Sequence, residues 1–189
     1  MSAAHQRDST PTIWTIGHST LPWSDFVDLL QRHGIEAVAD VRRFPGSRRH
    51  PWFASETMVA ALPVAGIGYQ WLPELGGRRA PQPGSPNDGW DNKAFQGYAD
   101  HMYSVEFAEG WQGLQTLAGH RRTALMCAEA PWWRCHRRMI SDLLVHRGHP
   151  VLHIMGLGEP RPHPLNPLAQ ARGADLVYPA AQGDLFAPG

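Results

Sequence analysis

Thr123-Ala-Leu-Met-Cys127-Ala-Glu129-Ala-Pro-Trp-Trp-Arg134-Cys135-His136-Arg137 is the stretch on which the reading of this chain turns. Its first four residues form an apolar run, the signature of a strand buried on both faces. Ile140, Leu143, Leu144 and Arg147 then recur at helical spacing and predict a helix over 134–146. The turn between carries a carboxylate, two thiols, an imidazole and, with Arg138, three guanidiniums. In an open α/β sheet such a turn lies at the carboxyl edge, where ligands bind. The opening of the next helix offers unpaired backbone N–H groups to an anion.

The same alternation extends outward in both directions. Ile13-Trp-Thr-Ile16 is a short β-rich run closed by Gly17. Ser19 or Thr20 is expected to cap a helix bearing Trp23, Phe26, Leu29, Leu30 and His33, stopped by Gly34. Buried strands are expected over 35–41 and 68–72. Between them, Ser55 opens a short helix with Met58, Val59 and Leu62, ended by Pro63. Phe95, Tyr98, Ala99 and Met102 mark a further helix, and Phe107, Trp111, Leu114 and Leu117 the next. Pro150-Val-Leu-His-Ile154 is the last strand. Strands alternating with helices imply an α/β fold, a Rossmann-like three-layer sandwich around a mainly parallel central sheet. The expected organisation is a disordered tail over 1–11, one domain over 12–156 and a Pro/Gly-rich arm over 157–189. Residues 76–92 form a Gly/Pro-rich loop of a length often tied to function.

Composition narrows the class. The 189 residues are 42% hydrophobic and 18% charged, which suits a globular domain large enough for a core. No apolar run is long enough to span a bilayer, and residues 1–10 lack the apolar segment of a signal peptide. Two cysteines make no disulfide scaffold, so a reducing cytoplasm is expected. Net charge is zero, which leaves no global field for nucleic acid. Of 17 basic residues all but Lys93 are Arg, and they cluster at 42–43, 48–49, 78–79 and 134–138. The guanidinium fork suits phosphate and carboxylate oxygens.

If the strands run parallel, their ends gather residues distant in the chain. Asp40 ends one strand and Glu129 follows another. The pair fits general acid–base or nucleophilic chemistry, and equally fits two structural ion pairs, with Arg42 and Arg137. His18 is a base or a hydrogen-bonded rim residue. Cys135 precedes a helix and is flanked by Arg134, His136 and Arg137, each of which favours a thiolate. It is a nucleophile or redox thiol, or else a packed core residue. Arg42, Ser47, Arg48 and Arg137 are candidates to cradle a phosphate. Cys127, Cys135 and His136, joined by His18 or His153, suggest a metal, but the spacing is incomplete for zinc and no metal is assigned. No Gly-rich phosphate loop is present, and no cofactor is expected.

The end of the chain carries a separate signal. Gln182-Gly-Asp-Leu185-Phe186 resembles the pentapeptide by which bacterial polymerases and repair proteins dock onto the DNA sliding clamp. Such a peptide needs two apolar anchors and an amide on an extended arm. Alternatively, Leu185 and Phe186 anchor the tail on the domain itself.

Several phrases, in order, resemble one family. Thr15-Ile-Gly-His-Ser19, Asp40-Val-Arg42 with Pro45 and Ser47, Leu75-Gly-Gly77, Gly97-Tyr98, Met126-Cys-Ala-Glu129 and Cys135-His-Arg137 are similar to those of the domain of unknown function 488 family of bacteria and archaea. The resemblance spans about residues 13–155. It implies a compact cytoplasmic α/β domain whose signature includes these rim residues, and it implies no reaction.

The leading expectation is an enzyme acting on a phosphorylated, nucleotide-like or nucleic-acid substrate by hydrolysis or group transfer. Asp40 and Glu129 would be its carboxylates, Arg42, Ser47 and Arg137 its anion site, and His18, Cys135 and His136 its assisting groups. The alternatives are a non-catalytic module tethered to a DNA sliding clamp through Gln182, Leu185 and Phe186, and a Cys/His metal-binding protein.

Overall fold

The computed structural model describes residues 10–46 and 49–180. Its centre is a six-stranded sheet made by β1 (Ile13–Gly17), β2 (Ala37–Asp40), β3 (Gly68–Trp71), β4 (Thr123–Cys127), β5 (Val151–Ile154) and β6 (Arg161–Pro162). The order is β3-β2-β4-β1-β5-β6, parallel except for β6. Helices α1 (Trp23–Arg32) and α2 (Ser55–Val64) cover one face. The other face carries α3 (Lys93–His101), α4 (Val105–His120) and α5 (Arg137–His146). The fold is therefore a Rossmann-like three-layer α/β sandwich. No helix among the described residues is long and apolar enough to cross a membrane.

Strand alternation divides the core in two. Trp14, Ile16, Val38, Ala124 and Met126 face α1 and α2, packing against Phe26, Leu30, Met58 and Leu62. Ile13, Ala39, Val41, Leu125 and Cys127 face the opposite layer and meet Tyr98, Leu114, Ile140 and Leu144. Strand β4 is buried at every position, as its unbroken apolar run predicts.

Local boundaries differ from expectation in places. Pro22, not Ser19 or Thr20, is the N-cap of α1, since proline's fixed φ suits the start of a helix. Pro63 lies inside α2, one residue before its end, so the helix runs one residue past the proline expected to stop it. The Trp132–Arg134 segment is a separate 3₁₀ turn, and α5 begins only at Arg137. Cys135 thus sits in extended backbone between two helical pieces, its N–H closing the first on the Trp132 carbonyl and its carbonyl accepting from Arg138 at the start of the second.

The described part of the expected arm is not loose. It adds β6 to the sheet edge and forms a hairpin, β7 (Gln170–Arg172) with β8 (Asp175–Val177). Leu176 and Tyr178 are buried. The loop over 76–92 is also pinned. Asn87 donates to Asp100 at 2.8 Å and accepts from the backbone N–H of Tyr178 at 2.9 Å.

Candidate active site

A cavity of about 300 Å³ opens at the carboxyl edge of the sheet, on the α3–α5 side. Its floor is Cys127 at the end of β4, then Cys135 and His136 just before α5. Arg42, Arg43, Arg78 and Arg134 supply positive charge to its walls. Phe44, Phe95 and Tyr98 supply aromatic surface, and Glu129 is its carboxylate.

The floor is an ordered chain of donors. His136 Nε2 lies 2.9 Å from the carbonyl oxygen of Val41. A carbonyl only accepts, so Nε2 carries the proton and Nδ1 is left as an acceptor in the neutral ring. Nδ1 faces Cys135 Sγ at 3.6 Å. A thiol, an imidazole and a carbonyl that orients the ring are thus arrayed in sequence. Gly77 makes room for the ring: a Cβ there would sit 2.7 Å from His136 Nδ1. Tyr98 flanks the ring at 5.0 Å between centroids and donates its hydroxyl to the Leu75 carbonyl at 2.8 Å.

Arg137 completes the floor from beneath and is 1% exposed. Its Nη2 donates to the carbonyls of Glu129 and Ala130, and its Nε points at Cys135 Sγ at 3.5 Å. Among the described residues no carboxylate pairs with it. A buried guanidinium needs a counter-charge. The group in contact with it that is able to supply one is the Cys135 thiol. Burial pushes that thiol up, but the hydrogen bond with Cys127, the charge and hydrogen bond of His136 and the charge of Arg137 together carry it well below the usual range. Cys127 moves the opposite way, raised by its hydrogen bond with Cys135 and by burial. The two thiols therefore titrate as a coupled pair, in which Cys135 is the one favoured as the anion.

Asp40 lies elsewhere. In the β2–β4 register it pairs with Met126, whose side chain belongs to the α1–α2 layer. It is fully buried there and does not line the cavity. Arg42 grips it through Nε at 2.8 Å and Nη2 at 2.5 Å, and Tyr69 donates its hydroxyl at 2.7 Å. Burial and the Asp40 charge raise the Tyr69 phenol, which stays a donor. The expected pair of carboxylates facing each other across one pocket is therefore absent, because neighbouring strand positions face opposite layers. Glu129 does line the cavity, and its carboxylate has no hydrogen-bond or ion-pair partner among the described residues.

His18 belongs with Asp40. It donates from Nδ1 to the Ser19 carbonyl at 3.0 Å, accepts from Arg42 Nη1 at 3.1 Å and stacks on Phe53. Burial and the Arg42 charge lower it to about 4. It is a neutral prop for Arg42, whose remaining N–H is the one that can face the cavity. His153 is not part of the cysteine cluster. It links Thr15 and His163 at 2.6 and 2.9 Å. Ser47, Gln182, Leu185 and Phe186 lie outside the described residues.

Cys127 Sγ, Cys135 Sγ and a ring nitrogen of His136 lie within 4.8 Å of one another. That makes three donors of a possible metal site, and no fourth His, Cys, Asp or Glu joins them among the described residues. The sequence understated Cys127, which looks like any buried strand residue, and Phe95 and Tyr98, which look like helix core. Gly17 is a further builder: a Cβ there would lie 1.9 Å from the Glu129 carbonyl oxygen, so only glycine lets β1 approach the turn. A family model described as "Domain of unknown function DUF488" matches residues 22–144. No curated protein and no solved structure matches the chain.

Proposed function

The chain belongs to the DUF488 family, and from that premise we propose that it is a thiol-dependent enzyme acting on an anionic, phosphorylated or nucleotide-like substrate by group transfer or hydrolysis. One observation carries the reading: Arg137 is buried against Cys135, and no carboxylate among the described residues balances it. The thiolate attacks the electrophilic phosphorus or carbon of the substrate. A bond to sulfur forms and the bond to the leaving group breaks. The proton that the Cys135 thiol gives up to the acceptor Nδ1 of His136 passes to the leaving group. Water, or a second acceptor that gives up a proton to His136, then releases the product and restores the thiolate. The cavity-facing guanidiniums of Arg42, Arg43, Arg78 and Arg134 hold the anion, and Phe44 and Phe95 offer stacking surface. Asp40 and His18 are positioning residues that hold Arg42 in place.

The test has two readouts. The rate of iodoacetamide alkylation at Cys135 is expected to stay high well below the pH at which free thiols ionise, and to fall in His136→Ala. Thermal shifts against nucleotides and sugar phosphates are expected to find a ligand whose effect disappears in Arg78→Ala/Arg134→Ala. Alkylation that follows an ordinary thiol profile removes the proposal.

The three-donor cluster favours a second reading, a divalent metal on Cys127, Cys135 and His136 with an open fourth position. Charge weighs against it. Two thiolates neutralise a divalent ion and leave Arg137 unbalanced until an anion fills that position. Elemental analysis separates the two, with one equivalent of zinc favouring the metal.

A further inference from the structure

We infer that Cys127 is the resolving thiol of Cys135, so that a peroxide converts the two into an intramolecular disulfide that closes the site. The inference rests on the thiolate reading above and adds a modification of that site.

Three observations carry it. The two sulfurs lie within 4.8 Å of each other in the reduced protein. Both cysteines line the cavity, so a molecule as small as a peroxide reaches them. Neither cysteine is in mid-helix. Cys127 ends β4, and Cys135 lies in extended backbone after a 3₁₀ turn, joined to it by a segment whose residues 128–130 are exposed. Bringing the sulfurs to bonding distance takes side-chain rotation at both cysteines and a shift of that segment, which is held by the Ser19 N–H on the Ala128 carbonyl and by Arg137 on those of Glu129 and Ala130.

The chemistry balances. Cys135 thiolate attacks one peroxide oxygen, the O–O bond breaks, and hydroxide leaves. Cys135 becomes a sulfenic acid, oxidised by two electrons, while the peroxide is reduced. Cys127 then gives its proton to that hydroxide or to His136, and its thiolate attacks the Cys135 sulfur. The S–S bond forms and a second hydroxide departs, so that the one thiol proton accounts for one water and the remaining hydroxide takes its proton from solvent. Arg137 loses its thiolate partner, and the nucleophile is gone until an external thiol reduces the bond.

Mass spectrometry of the intact chain after treatment with hydrogen peroxide tests this. The expected result is a loss of two hydrogen masses, reversed by dithiothreitol. Trypsin should release peptide 123–134 joined to the tripeptide Cys135-His136-Arg137. In Cys127→Ala the disulfide should vanish, and dimedone should label a sulfenic acid at Cys135 instead. A wild-type protein that proceeds to sulfinic acid without forming the linked peptide overturns the inference. Alkylation keeps the outcomes apart. If Cys135 alkylates fast at low pH yet no disulfide forms, the resolving role fails and the thiolate reading stands. If Cys135 resists both reagents, both fail.

Discussion

Arg42 and Arg137 are both buried guanidiniums at the same edge of the sheet, and they find their counter-charges in different ways. Arg42 has a fully buried carboxylate, Asp40, gripped at two atoms, with Tyr69 and His18 filling the remaining positions. Arg137 has two backbone carbonyls and a thiol. The first set is closed and has one cavity-facing donor to spare. The second places the guanidinium against a sulfur that also lines a cavity and that is favoured as the anion. A buried cation satisfied by a carboxylate stabilises the fold. A buried cation satisfied by a thiolate keeps that thiolate ionised, and so makes it reactive.

The contrast is broken most severely at Asp40. Asp40→Ala leaves Arg42 buried without a partner and is expected to lower unfolding free energy by about 3–5 kcal/mol in urea titrations, as breaking one side of a buried pair does. Cys135 alkylation should keep its pH profile in that variant if it folds, because it is Arg137 and not Arg42 that contacts the Cys135 sulfur. Loss of thiol reactivity there would merge the two regions into one.

Cys135→Ala should cost less, about 1–3 kcal/mol, and the cost should depend on pH. The folded-state thiol is held below its ordinary value. Between that lowered value and the usual cysteine range near 8.5, the unfolded chain binds the proton and the folded one does not. Stability from the thiolate is therefore complete above the ordinary value and fades as pH falls through the lowered one. The gap between wild type and Cys135→Ala should widen as pH rises across this window. A gap that is flat with pH would show that Arg137 is not balanced by sulfur.

His18 supplies a milder test on the Arg42 side. Its pKa is lowered to about 4, so the unfolded state takes up a proton first as pH falls below about 6.5. His18→Gln should remove that acid sensitivity, read as a shallower fall in melting temperature between these two values. Gly77→Ala presses on His136 and should slow alkylation several-fold at a stability cost of about 1–3 kcal/mol. Arg78→Ala should change stability by less than about 0.5 kcal/mol and show its effect only in anion binding.

Much of this was legible in the chain. The apolar run over 123–126 is β4, and the periodicity after it is α5. Cys135 and His136 of the Cys135-His136-Arg137 triplet line the cavity, and Arg137 is buried behind them. The glycines of the quoted phrases stand where the site needs them: Gly17 against the Glu129 carbonyl, Gly77 against the His136 ring. Less legible was the partition between faces. Asp40 and Arg42 read as part of the same pocket as Glu129 and Arg137, yet the β2–β4 register sends Asp40 to the other layer. The described part of the C-terminal arm was also understated, because Tyr178 and Leu176 are anchored by contacts with residues about 35 or more positions away, such as Asp142 and Asn87. Sequence periodicity does not register pairings at that separation.

The sequence by itself determined the alternation of strands and helices, the family, and the set of reactive groups at one strand-to-helix turn. These are local properties: hydrophobic period, residue type and spacing along the chain. Only the tertiary structure decided that the sulfurs of Cys127 and Cys135 lie within 4.8 Å of each other, that a carbonyl from β2's far end turns His136 toward sulfur, and that no carboxylate among the described residues pairs with Arg137. Those outcomes depend on strand order and register, which are fixed by packing between segments remote in the chain.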